Sequence, residues 1–203
     1  MIGKGKSISH GVAALEYDLA KEINGQAVAT EIARHELYGC TGAEMVQEMK
    51  PYHIDFPNVK NNCLRFEVSP SIEESATFTD ADWAELGNDF MQRMGLANHQ
   101  YIIIRHSGTE SKKEQAHLHI LANRVSLSGE LYRDNWIGKK ATEAANAIAK
   151  ERNFVQSQDI GKVNKAEIKE AMDGVLKKMQ GFDFTKFKEE LGKRGFKAVS
   201  YTH

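Results

Sequence analysis

The chain has 203 residues, 41% hydrophobic and 27% charged, with a formal net charge of -1. That suits one globular domain with a sizeable core and room for a small appendage. The balance gives no support to a binder driven by bulk positive charge, yet a local basic patch suffices to engage a few phosphates.

Residues 1–10 are rich in Gly, Lys and Ser and basic through Lys4 and Lys6. Ser9 is the expected N-cap of a helix through GVAALEYDLAKE, with Val12, Leu15 and Leu19 as its apolar stripe. Tyr17 falls roughly 140° around the helix from Val12, so position alone makes it solvent-facing. Asn24-Gly25 is a turn signal, and the stretch from there to Cys40 fits a strand or a helix. Thr41 and Glu44 form a capping-box pattern for a short helix ending near Lys50. CLRFEVS at 63–69 alternates as a strand, with Leu64, Phe66 and Val68 on one face. Thr79 or Asp80 caps a helix with the stripe Trp83, Leu86, Phe90 and Met94, stopped by Gly95. With the strand at 101–106 this makes a β-α-β unit.

Two β-rich runs, Tyr101–His106 and Ala116–Val125, flank a polar loop containing Gly108. On the second run His117 and His119 point to one face and Leu118, Ile120 and Ala122 to the other. His106 ends the first run, and the loop returns the chain toward it. Three imidazoles therefore meet at one end of a hairpin. Neutral imidazoles suit a transition metal, and three of them leave positions open for water or substrate oxygens. A lone histidine would read as a surface or hydrogen-bonded residue; His-x-His with a third at the hairpin end reads as a metal site.

Ser128-Gly129 signals a turn into a strand at Glu130–Arg133. Residues 139–152 are Ala-rich and helical. Asn164 and Glu167 resemble a capping box opening an amphipathic helix with Ile168, Met172, Val175, Leu176 and Met179 on one side. Phe184, Phe187 and Leu191 form another short helical face, and 196–201 reads as the start of a strand. The composition shift near 154–163 divides a catalytic core, residues 1–155, from a helical extension, 156–203, expected to pack on it. The lack of a polar tail points to the front part of a longer protein. Cys40 and Cys63, the only cysteines, lack the close spacing of a zinc site or disulfide scaffold, so a reduced, cytoplasmic setting is expected. No stretch is long enough to span a membrane, and the N-terminus lacks the apolar run of a signal peptide.

The segment IIIRHSGTESKKEQAHLHILANRV resembles the third motif of relaxases, the mobilisation nucleases of the HUH endonuclease superfamily in its Tyr-dependent group. There a His follows an apolar strand, His-x-His lies on the next strand, and Asn-Arg-Val commonly follows. GVAALEYDLAKE resembles their first motif, with a tyrosine on a helix shortly before a Lys. The resemblance implies an α+β fold, a central, mostly antiparallel sheet flanked by helices, here with extra C-terminal helices. It implies His106, His117 and His119 as metal ligands and Tyr17 as the nucleophile, overriding the bland reading of that tyrosine. It places Asn123 and Arg124 near the site, Arg124 against phosphate, and Lys4 and Lys6 join them as DNA contacts. Mg or Mn is the implied ion, with Zn, Co or Ni also compatible with imidazoles. The implied partners are single-stranded DNA at a plasmid or mobile-element transfer origin, accessory mobilisation proteins and a coupling ATPase.

The implied activity is nicking by tyrosine transesterification, leaving a 5′-phosphotyrosine link that is later rejoined. A rolling-circle replication initiator, a single-strand transposase of the same superfamily, a water-using metal hydrolase and an inert DNA-binding module are the alternatives. Two features depart from the pattern. Gly108 stands where relatives often carry Asp, and the loop between His106 and His117 is longer than usual. If that Asp orients a histidine or takes the tyrosine proton, another carboxylate must replace it, with Glu110, Glu67 and Glu16 as candidates. Trp136, Tyr132 and Phe154 are candidates for stacking on bases.

Overall fold

The computed structural model describes residues 1–108 and 115–197. It divides into two units, Met1–Gln156 and Ser157–His203. The first unit runs β1 (Ile2–Ile8), α1 (Gly11–Leu19), β2 (Glu22–Ile23), β3 (Gln26–Ala27), β4 (Ala29–His35) and α2 (Gly42–Met49). It continues with β5 (Cys63–Ser69), α3 (Ile72–Ser75), α4 (Asp80–Arg93), β6 (His99–His106), β7 (His117–Ser126) and α5 (Ile137–Glu151).

The main sheet has the order β1-β5-β7-β6-β4, and every neighbouring pair is antiparallel. The α+β class with a central antiparallel sheet holds. β5 and β6 of the expected β-α-β unit do not touch: β7 inserts between them and pairs with both. This central position, packed on both faces, explains its nearly uninterrupted burial.

Each face of the sheet has its own core. On one face Phe66, Val68, Ile103, Leu118 and Ile120 pack under Trp83, Leu86 and Phe90 of α4 and the alanines of α5. On the other, Cys63, Ile102, Ile104 and Leu121 pack against Ala14 and Leu15 of α1 and Met45, Val46 and Met49 of α2. Each such large side chain contributes roughly 1.5–3 kcal/mol through burial.

The basic N-terminus is a strand, which the sequence reading left without structure. Its Gly-Lys-Gly-Lys alternation serves two faces. A Cβ on Gly3 would lie 2.5 Å from the Ala141 carbonyl oxygen, and one on Gly5 would lie 2.8 Å from the Phe66 ring. The glycines let α5 and Phe66 seat directly on β1. Period-two geometry then sends Lys4 and Lys6 to the opposite face.

Several local expectations change. The N-cap of α1 is His10, not Ser9, and it makes no side-chain cap bond. The buried face of α1 is Gly11, Ala14, Leu15 and Asp18, while Val12 is exposed. The undecided stretch after Asn24-Gly25 is a tight β2–β3 hairpin followed by the edge strand β4. Residues 130–133 form only an isolated bridge, Val125 to Leu131, rather than a strand. The capping boxes at Thr41 and Thr79 are present, the second closed by Asp82. At the far end of α4, Leu96 N–H bonds Met91 carbonyl at 2.9 Å and Gly95 N–H bonds Gln92 carbonyl at 2.9 Å, with Gly95 at φ 72°. That is a Schellman stop, and the left-handed residue in it favours glycine.

The second unit contains α6 (Ser157–Leu176) and α7 (Phe184–Lys193), joined through Ala171, Val175, Phe187 and Leu191. Asn164 lies inside α6 rather than at its start. Ile168, Met172 and Leu176, expected to share a buried side with Val175, are exposed. The expected strand at 196–201 lies largely outside the described residues. Among the described residues no helix is long and apolar enough to cross a membrane.

Candidate metal centre and the tyrosine helix

Strand register brings the three histidines together. His106 pairs directly with His117, and Ile104 with His119, so all three imidazoles occupy the face that also receives α1 and α2. One ligand nitrogen from each lies within 4.8 Å of the others. The Nε2 atoms of His117 and His119 are 3.1 Å apart. Two ligands about 2.1 Å from one ion, at right angles, sit about 3.0 Å apart, so this pair fits a single cation.

The outer nitrogens have partners. His117 Nδ1 donates to the Gln115 carbonyl oxygen at 3.2 Å, and His106 Nε2 donates to the Asp18 carbonyl oxygen at 2.7 Å. Such bonds fix ring orientation and tautomer, as in metal sites generally. Burial, reinforced by the charges of His106, His117, Arg65 and Lys4, pushes His119 down to about 2. Burial also lowers His106, partly offset by its bond to Asp18. Both rings are thereby held neutral, the form that offers a lone pair to a metal. The donor set fits a divalent cation.

Asp18 is the residue the sequence reading missed. It is 1% exposed. Its Oδ2 accepts from Arg65 Nε at 3.1 Å, and Arg65 Nη2 donates to its Oδ1. His119 Nδ1 lies 3.8 Å from the same Oδ1. Burial raises the Asp18 carboxyl, and Arg65 works against that rise. Asp18 thus bonds His106 through its main chain and lies near His119 through its side chain, with Arg65 bridging at 3.4 Å from His119 Nδ1. The three acids weighed for this place are otherwise disposed. Glu16 accepts from Ala43 N at 3.0 Å and ties α1 to α2. Glu67 pairs with Lys4 at 2.9 Å. Glu110 lies outside the described residues, as do Lys112 and Lys113. A signal for Asp18 was available: it stands seven residues after Gly11, on the face that α1 buries, and Arg65 needs an anion on the α1 side of β5. Replacing Asp18 by Asn is expected to weaken Mn or Zn uptake about 10- to 100-fold, the usual cost of losing such an outer partner. Calorimetric titration measures it, and a thermal melt separates it from loss of fold; an unchanged affinity would remove Asp18 from the site.

Tyr17 precedes Asp18 and is 57% exposed. Its hydroxyl accepts a hydrogen bond from Lys21 Nζ at 2.7 Å, and the same ammonium sits 4.8 Å over the ring. The charge of Lys21 is also felt at His106, where it disfavours protonation. Lys4 and Lys6 line a cleft of about 220 Å³ together with Arg65, Glu67 and His119. The structure therefore brings these lysines to the cluster.

It does not bring Asn123 and Arg124 there. Asn123 lies six residues beyond His117 on β7, roughly 20 Å along the strand. It is fully buried and bonds His53, Gln100 and Met49 carbonyl. Arg124 pairs with Asp134 at 2.7 Å and donates to the Asn61 and Tyr132 carbonyls. Both side chains are engaged within the fold at the end of β7 away from the histidines, so the structure does not gather them with the cluster.

Fold and site together define an α+β domain with three imidazoles gathered on the sheet face that also carries the helix bearing Tyr17. The sequence matches the model of the MobA/VirD2-like relaxase nuclease domain over residues 17–154. The chain belongs to that family. Comparison with curated proteins finds no match. Among solved structures it is similar to the conjugative relaxase TrwC in complex with OriT DNA. The metal-free form gives 10% identity and a TM-score of 0.46 over 99% of this chain and 93% of that one. The metal-bound form gives 11% and 0.45 over the same shares.

Proposed function

We propose that this chain nicks one strand of DNA at the transfer origin of a plasmid or other mobile element and holds the cut end covalently. Tyr17 Oη attacks the scissile phosphorus. An Oη–P ester forms, the P–O3′ bond breaks, the phenolic proton leaves, and the departing oxygen takes up a proton as a free 3′ hydroxyl. The resulting phosphotyrosine ester retains enough free energy to be reversed by a 3′ hydroxyl, which permits rejoining. His106, His117 and His119 would hold a divalent ion, which when bound supplies Lewis acidity to the non-bridging phosphate oxygens. An all-nitrogen donor set favours Mn over Mg, which prefers oxygen ligands.

The observation that carries this reading is the attachment of α1 to the cluster through Asp18. The residue next to the phenol accepts a hydrogen bond from His106 through its carbonyl oxygen and holds its carboxylate 3.8 Å from His119, which supports a nucleophile carried close to the cation site. Lys21 puts positive charge against the attacking oxygen. Lys4 and Lys6 supply charge along the cleft for flanking phosphates.

The test is incubation of the protein with end-labelled single-stranded DNA carrying the transfer origin, with Mn or with a chelator, followed by a denaturing gel. A protein–DNA adduct that needs Mn is expected. Cutting with no adduct would point to water as the nucleophile, and binding with no cutting would leave a DNA-binding module.

A further inference from the structure

Trp136 breaks two local rules at once. It occupies the N-cap of α5, where Ser, Thr, Asp or Asn is favoured, and it makes no side-chain cap bond. Its backbone is left-handed, at φ 58° and ψ 28°, a conformation unfavourable for a bulky L residue. In return its indole gains no burial: it is 80% exposed. A large aromatic held in a strained turn and left in solvent contributes nothing to folding, and such local conflicts concentrate at functional positions.

Its surroundings are basic. Trp136 lines an open cavity of about 300 Å³ with Lys139, Lys140 and Glu143. Lys140 is fixed, donating to the Arg133 carbonyl at 2.8 Å and lying 4.9 Å over the Tyr132 ring. Lys139 meets Glu143 only at 3.8 Å, an exposed and weak pair. The cavity also adjoins the basic strand. A Cβ on Gly138, two residues beyond Trp136, would lie 3.5 Å from the Gly5 carbonyl oxygen. Gly5 stands between Lys4 and Lys6 on β1, which among the described residues is an edge strand of the sheet. From the histidine cluster to Trp136 the path crosses one strand edge bearing two lysines.

We infer that Trp136 is a stacking platform for a base of single-stranded DNA, with Lys139 and Lys140 holding its flanking phosphates. The inference rests on the nuclease reading above and adds a binding position to it. The bound strand passes the histidines, crosses Lys4 and Lys6, rounds the β1 edge and lays a base on the indole. Every base has a π-face, so this contact contributes affinity with little sequence preference. Protein partners fit the position less well, because a lone indole ringed by cations offers no continuous apolar area.

The chain carries its own probe. Its second tryptophan, Trp83, is buried in the α4 core, so a change in emission on binding reports Trp136. The full chain is titrated with a single-stranded oligonucleotide of about 16 nucleotides, within the usual span of such sites, at several salt concentrations. Emission is expected to quench. Trp136→Ala is expected to weaken binding about 5- to 150-fold, one stacked base's worth, with the slope of log Kd against log salt unchanged, because no phosphate contact is lost. Trp136→Phe should restore most of the affinity. Unquenched emission, or Trp136→Ala binding within twofold of the parent, overturns the platform. If the adduct still forms in that case, the nuclease reading stands without it. Quenching with no adduct under any metal keeps the platform and removes the covalent chemistry.

Discussion

Tyr17→Phe is expected to abolish the covalent protein–DNA adduct while leaving single-stranded DNA binding within about twofold. In the proposed reaction the phenol oxygen attacks phosphorus, so its loss should reduce the reaction at least about a thousandfold, as for other enzyme nucleophiles. Folding should be untouched. Tyr17 is exposed and the hydroxyl's partner is the exposed Lys21, and exposed positions of this kind change stability by no more than about 0.5 kcal/mol. Adduct yield on denaturing gels measures the first effect and a thermal melt the second. An adduct of normal yield with Tyr17→Phe would mean that another residue attacks. Tyr38 is the obvious alternative by exposure, but it sits on the loop before α2, where its hydroxyl donates to Glu36. That acid holds the Tyr38 phenol above its ordinary range, which disfavours the attacking phenolate.

The second large effect belongs to the imidazoles. His117→Ala combined with His119→Ala removes two of the three proposed ligands and should eliminate tight Mn or Zn uptake, a loss greater than the roughly 10- to 100-fold assigned to an outer partner such as Asp18. Nicking should fail with it. Binding of the oligonucleotide should survive, because Lys4, Lys6 and Trp136 remain. Equilibrium dialysis against Mn measures uptake, and tryptophan quenching measures binding. Uptake equal to the parent's would place the metal elsewhere and detach the histidines from the chemistry. Simultaneous loss of DNA binding would instead mean that the cluster supports the cleft structurally. Leu118 and Ile120, on the opposite face of β7, are the side chains that pack it under α4, so the double substitution leaves that core intact.

The histidine hairpin was readable because its logic is local. Alternation along β7 dictates that His117 and His119 share a face, and a hairpin dictates that His106 meets His117. Lys4 and Lys6 were read as basic residues, but their strand was not, because a Gly-Lys-Gly-Lys run has no apolar face to announce it. Its burial comes from main chain pressed on α5, a contact between residues 138 positions apart in the sequence. Asp18 was missed for a related reason. Of the stripe drawn through Val12, Leu15 and Leu19, Leu15 and Leu19 do face inward, but Val12 is exposed and the buried face turns instead through Ala14 and Asp18. A helix with a buried carboxylate cannot be oriented by hydrophobicity alone, since the partner that makes burial tolerable, Arg65, lies on another element. Asn123 and Arg124 came from the family motif alone, and the structure places them at the far end of β7 from the histidines.

By itself the sequence determined that three histidines meet across one hairpin, which follows from side-chain periodicity and turn chemistry acting over a few residues. The antiparallel α+β class and the choice of Tyr17 came from the family resemblance of its motifs. Only the tertiary structure decided which carboxylate attends the histidines, that β7 separates β5 from β6, and that the tyrosine helix is bonded to the cluster by its neighbour. These depend on which distant surfaces bury each other, and a buried charge or a bare glycine finds its meaning only in the partner that closes over it.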